Sequence, residues 1–125
     1  MAGYQLFLRD ELDFSPPSSG DPTRALVRLS EAMSSMRGNL WRLSPGSRGR
    51  RHSERAQEEL FVVLEGEATL LLGEPPRRVA LPAGSLAVVE PGTASQLRND
   101  GQGDAVVLVV GAPPVLGETD YLPDA

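Results

Sequence analysis

The chain has 125 residues, 40% of them hydrophobic, with 13 glycines and 11 prolines, which suits one domain that buries its own core without disulfide or metal staples. A net charge of −5 sets up a field that repels phosphate backbones and anionic lipid, arguing against nucleic-acid and membrane-surface partners. There is no Cys, all 12 basic residues are Arg, and His52 is the sole imidazole, so thiol chemistry, disulfides and lysine Schiff bases are excluded and any imidazole-dependent step must pass through His52.

The first stretch, MAGYQLFLRDEL, lacks a basic segment followed by an apolar one. No run anywhere reaches the roughly 18 apolar residues that span a bilayer, so the expected location is the cytoplasm. Tyr4 to Leu8 is a short apolar run that reads either as a strand joining a sheet edge, of this or a second subunit, or as a loosely held arm. Pro16-Pro17-Ser18-Ser19-Gly20-Asp21-Pro22 follows as a loop. Residues 22–36 read as a strand and then a helical turn.

From Gly38 onward short apolar runs recur at Asn39 to Leu43, Leu60 to Leu64, Ala68 to Leu72, Arg78 to Leu81, Leu86 to Val89, Ala94 to Arg98 and Ala105 to Val110. Between them stand turn formers: Pro45-Gly46, Glu65-Gly66, Pro82-Ala83-Gly84, Pro91-Gly92 and Asn99-Asp100-Gly101. Proline supplies a fixed φ and glycine or asparagine a positive one, so the pattern predicts an all-β antiparallel sandwich or barrel. The expected division is an arm with a first strand over 1–37, a barrel over 38–112 and a C-terminal tail over 113–125, together one domain.

Two stretches of this pattern resemble the cupin motifs. In the first, a glycine leads to a His-x-His pair, then a glutamate and a second glycine at set intervals. Gly46, His52, Glu54, Glu59 and Gly66 take those places, with Glu54 standing for the second histidine. In the second, a glycine leads through a strand and a Pro/Gly turn to a histidine and an asparagine. Gly84, Pro91, Gly92 and Asn99 match, with Pro91 displaced by one position and Ser95 standing for the histidine. The resemblance covers residues 38–110. It implies a double-stranded β-helix (the cupin or jelly-roll barrel), two antiparallel sheets around a pocket, often in a homodimer. Many family members hold a divalent metal with two histidines and a glutamate of the first motif and a histidine of the second. Two of those four positions are changed here, so the resemblance implies a depleted metal site.

Alternation along an extended chain puts every second residue on one face. Arg50, His52 and Glu54 then share a face, as do Glu59, Phe61 and Val63, and Ser95, Leu97 and Asn99. The expected pocket is apolar, with an imidazole, two carboxylates, a hydroxyl and a guanidinium. One reading of His52, Glu54 and Glu59 is a one-histidine, two-carboxylate site for a divalent ion such as Mn, Fe, Zn or Ni. The other is a hydrogen-bonded cluster without metal, in which His52 or Arg50 neutralises the carboxylates. Ser95 as a nucleophile would need a base, and the one imidazole belongs to the first motif; no catalytic residue is assigned.

The run Arg48, Arg50, Arg51, Arg55 reads as a solvated rim or an anion site, with Arg50 the member that alternation turns inward. Trp41 and Phe61 read as core or pocket wall. The expected function is binding or sensing a small molecule in the barrel, with Arg50, His52, Glu54, Glu59, Phe61, Ser95 and Leu97 at the ligand. The alternatives are a metal-dependent enzyme of isomerase or oxygenase type using His52, Glu54 and Glu59, and a dimeric accessory subunit.

Overall fold

A computed structural model of the protein describes residues 3–115 and 117–124. The strands are β1 Arg24–Val27, β2 Arg37–Leu43, β3 His52–Glu54, β4 Glu58–Glu65, β5 Glu67–Leu72, β6 Arg77–Pro82, β7 Leu86–Val89, β8 Ser95–Arg98, β9 Ala105–Ala112 and β10 Thr119–Tyr121. They form two five-stranded sheets, ordered β1-β2-β9-β4-β7 and β10-β3-β8-β5-β6, in which every pairing is antiparallel. No helix among the described residues is long and apolar enough to cross a membrane.

The alternation expected from the sequence is visible in β4, where Glu59, Phe61 and Val63 are buried between more exposed neighbours. β9 runs beside it in register, pairing Val63 with Val107, Phe61 with Val109 and Glu59 with Gly111. On its other side β9 pairs Ala105 with Leu43, Val107 with Trp41 and Val109 with Asn39. The inward faces meet in a core of Leu43, Phe61, Val63, Ala68, Leu70, Val89, Ala105 and Val107. Burying a side chain as large as Leu, Val or Phe contributes roughly 1.5 to 3 kcal/mol. The core lies toward one end of the barrel. Toward the other end the same inward rows pass from apolar to polar residues.

Two turns show why particular residues are needed. Gly66, at the β4–β5 hairpin, has a φ of 70°, and a Cβ there would collide with the carbonyl oxygen of Asp104. Asn99 is fully buried; its Nδ2 donates to the carbonyls of Leu43 and Gly103, and its Oδ1 accepts from the Gly101 amide. Asn99 thus ties the loop after β8 to β2 instead of facing the pocket as the alternation suggested. Val63 likewise belongs to the apolar core.

The region 22–36 forms β1 and then a short 3-10 turn at Leu29–Ala32. Tyr4 to Leu8 forms no strand. The outer edge of β1 is met by Ser15, which exchanges two backbone hydrogen bonds with Leu26; Tyr4, Leu6, Phe7 and Leu8 stay exposed. Within the segment expected as a C-terminal tail, Thr119–Tyr121 adds β10 to the edge of the second sheet, pairing with β3.

Candidate functional site

A cavity of about 280 Å³ opens at the polar end of the barrel. Its wall brings together all seven residues expected at the ligand: Arg50, His52, Glu54, Glu59, Phe61, Ser95 and Leu97. β3 delivers His52 and Glu54, held between β10 and β8; Tyr121 of β10 and Ser95 of β8 both stand opposite His52. β4 delivers Glu59 and Phe61, and β8 delivers Ser95 and Leu97. Trp41 of β2 lines the same wall.

His52 is the centre of the cluster. Its Nδ1 lies 3.1 Å from the carbonyl oxygen of Arg50, an acceptor that keeps the proton on that nitrogen and turns Nε2 toward the cavity. Nε2 is 3.3 Å from Glu59 Oε1 and 3.6 Å from Glu54 Oε1. The hydrogen bond to Glu59 is the main reason that the imidazole pKa lies above its ordinary value. Burial opposes it, while the Arg50 carbonyl and the charges of Glu59 and Glu54 reinforce it.

Glu54 is 5% exposed. Its Oε2 accepts the Thr119 hydroxyl at 2.7 Å, and its Oε1 lies 3.7 Å from the Arg37 guanidinium. These contacts fix the carboxylate without covering the side that faces His52.

One donor atom each from His52, Glu54 and Glu59 lies within 4.8 Å of the others. Ligand bonds of about 2.0 to 2.2 Å allow two donors on one ion to stand no more than about 4.4 Å apart. The two distances from His52 Nε2 meet that limit, and the two carboxylates stand within 4.8 Å of one another. An imidazole already oriented through its other nitrogen, with two carboxylates, is a donor set that fits a borderline divalent ion. A proton on Nε2 serves the same electrostatic end, lying between imidazole and carboxylates, so proton and metal compete for one position.

Ser95 is buried opposite His52. Both ring nitrogens of the imidazole are engaged elsewhere, which leaves Ser95 without the base that a nucleophile needs. Phe61 and Leu97 form apolar wall.

The arginine run divides. Arg50 turns to the cavity, its guanidinium 3.8 Å from the centre of the Tyr121 ring. Arg51 is not part of a solvated rim: its side chain is 6% exposed and bonds Glu74 Oε2 at 2.6 Å and the Pro123 carbonyl at 3.1 Å. Arg55 pairs with Asp120 at 2.6 Å, and Arg48 lies 3.5 Å from Asp124.

Among the wall residues that escaped the sequence reading are Arg24, Arg37, Gln57, Thr119 and Tyr121. Arg24 and Arg37 precede the motifs, Gln57 sits between the motif's charged positions, and Thr119 and Tyr121 follow a proline-rich stretch. The alternation of Thr119, Asp120 and Tyr121, a β-branched and an aromatic residue around a polar one, was the available sign of a strand.

Residues 39–111 match the family described as Cupin domain. No curated protein is significantly similar to the chain in sequence. Among solved structures, a sugar phosphate isomerase of the cupin superfamily from Silicibacter pomeroyi superposes with a TM-score of 0.79 at 25% identity, covering 96% of this chain and 83% of that one. A conserved protein with a double-stranded β-helix domain from Klebsiella pneumoniae gives 0.75 at 24% identity, covering 97% and 99%. A predicted oxalate decarboxylase from Thermotoga maritima gives 0.73 at 22% identity, covering 86% and 97%.

Proposed function

We propose, from the premise that the chain belongs to the cupin domain family, that it binds a small molecule in the barrel around a reduced, three-donor divalent-cation site. The observation that carries this reading is the approach of His52 Nε2, Glu54 and Glu59 to one another in the wall of the cavity. His52 and the two glutamates would hold the ion, which when bound would supply Lewis-acid polarisation of a ligand oxygen.

The chain's own residues do the rest. The Arg50 carbonyl orients the imidazole, and Thr119 fixes one oxygen of Glu54. Phe61 and Leu97 exclude water from one side. Ser95, small where a larger ligand residue could stand, leaves room for the bound molecule. Metal content of protein purified without chelator tests the reading. Stoichiometric Mn, Fe, Ni or Zn supports it, and metal-free protein that takes up none of them on titration contradicts it.

A second reading, a metal-dependent isomerase, is favoured by the likeness to the sugar phosphate isomerase. In that case His52, Glu54 and Glu59 would hold the ion, which would supply the polarisation of a ligand carbonyl that acidifies the neighbouring C–H. An oxygenase-type activity has no comparable support.

Association with a second copy is also part of the proposal. The outward face of the first sheet carries Leu64, Leu86 and Val88, all more than half exposed. β7, which contributes two of them, is an edge strand. Apolar side chains beside an unpaired edge are what a second barrel would cover. Light scattering at micromolar concentration should give twice the 13.4 kDa of one chain; a monomer mass contradicts it and removes the accessory-subunit reading as well.

A further inference from the structure

We propose that the molecule taken up by this cavity is a small anion whose carboxylate or phosphate group is received by Arg24, Arg37 and Arg50. The inference rests on the small-molecule reading above and names the chemistry of the ligand. The three guanidinium groups come from β1, from the start of β2 and from the segment before β3, yet they line one cavity with only two carboxylates, Glu54 and Glu59. This excess of positive charge, found before any proton or metal at His52 is counted, sits in a chain whose net charge is −5.

The arginines of the cavity differ from four of those elsewhere, while Arg42, outside the cavity, also stacks on a ring, that of Phe14 at 4.4 Å. Arg51, Arg55, Arg78 and Arg98 each meet a carboxylate at 2.6 to 3.1 Å. By contrast, Arg24 lies over the Trp41 ring at 4.1 Å, and Arg50 lies over Tyr121 at 3.8 Å. Arg37 approaches Glu54 at 3.7 Å, too far for a hydrogen bond. The Arg24 Nε is buried without a hydrogen-bond partner.

A guanidinium that stacks on an aromatic ring uses its flat face, and its in-plane N–H groups remain free for bidentate contact with carboxylate or phosphate oxygens. Two such stacked groups line one cavity beside Arg37, an arrangement suited to an anion. Gly49 keeps that end open, since a Cβ there would stand 3.7 Å from Arg24 Nη2 and 2.9 Å from the Leu97 carbonyl.

The test is calorimetric titration of the full chain with inorganic phosphate, malonate and glucose, with Mn titrated into the same preparations. Phosphate or malonate should bind and glucose should not. Affinity for the anion should fall about tenfold or more in Arg24→Gln and in Arg50→Gln, in keeping with loss of a charge-assisted bidentate contact. Arg50→Gln alters an exposed side chain, so it keeps the test decisive if Arg24→Gln fails to fold. Anion binding that neither substitution weakens, or glucose bound in preference to both anions, overturns the inference. Mn binding without anion binding overturns it while the cation site stands; absence of both overturns the two readings together.

Discussion

The two ends of the barrel are built from the same strands and differ in chemistry by a few rungs. At the closed end Leu43, Val63, Ala105 and Val107 meet across β2, β9 and β4 with Leu70 of the opposite sheet. Two rungs along β4, Phe61 and then Glu59 carry the same inward face to the cavity. In the second sheet the row runs from Leu70 through Leu97 and Leu72 to Ser95 and His52. Alternation aims every one of these side chains inward, and position along the strand decides whether it meets other apolar groups or an open cavity. A fold of this kind can therefore hold its stability at one end and keep polar groups poised at the other.

The comparison predicts that damage at the two ends is separable. Leu70→Ala, at a fully buried position, should cost about 2 to 5 kcal/mol, because it leaves a cavity that a sheet-bound core cannot fully close. Its divalent-metal affinity, measured where the variant is still folded, should stay close to that of the parent chain. Urea midpoints and metal titrations on one preparation read both quantities. Metal affinity falling in step with stability would show that the two ends are not separable.

The sequence made the closed end legible because turn residues punctuate the strands and because the inward rows of β4, β5 and β9 are apolar at that end. It also brought Arg50, His52, Glu54, Glu59, Phe61, Ser95 and Leu97 to one cavity, through motif spacing and a period of two. Alternation gives a face but no depth, which is why Val63 and Asn99 were aimed at the pocket and lie instead in the core and in a loop anchor. Burial of Arg51 depends on Glu74 and Pro123, residues far along the chain. Arg24, Arg37, Thr119 and Tyr121 reach the cavity only through pairing of β1, β2 and β10 with their neighbours, and cross-strand register is not written in any one segment.

A smaller effect sharpens the open end. Because His52 has a raised pKa, its proton competes with a metal ion over a wider range of pH than that of an ordinary imidazole. Metal affinity should therefore be weak in mild acid, rise as pH passes through the raised value and level off above it. Without metal the sign reverses. The His52 contribution to stability is complete below the ordinary imidazole pKa and is lost as pH rises through the raised one. Metal titrations and denaturation midpoints over a pH series check the two slopes, and a pH-independent affinity would mean that His52 is not a ligand.

The central claim, that three side chains at the open end form a cation site, meets its most direct test in calorimetric titration of metal-free protein with Mn, Fe(II), Ni and Zn. The account predicts one site per chain, lost in His52→Ala and weakened in Glu59→Gln, with affinity raised by orders of magnitude in the double substitution Glu54→His with Ser95→His, which restores the full donor set of many cupins. Absence of binding by the parent chain would contradict it, whatever the double variant does.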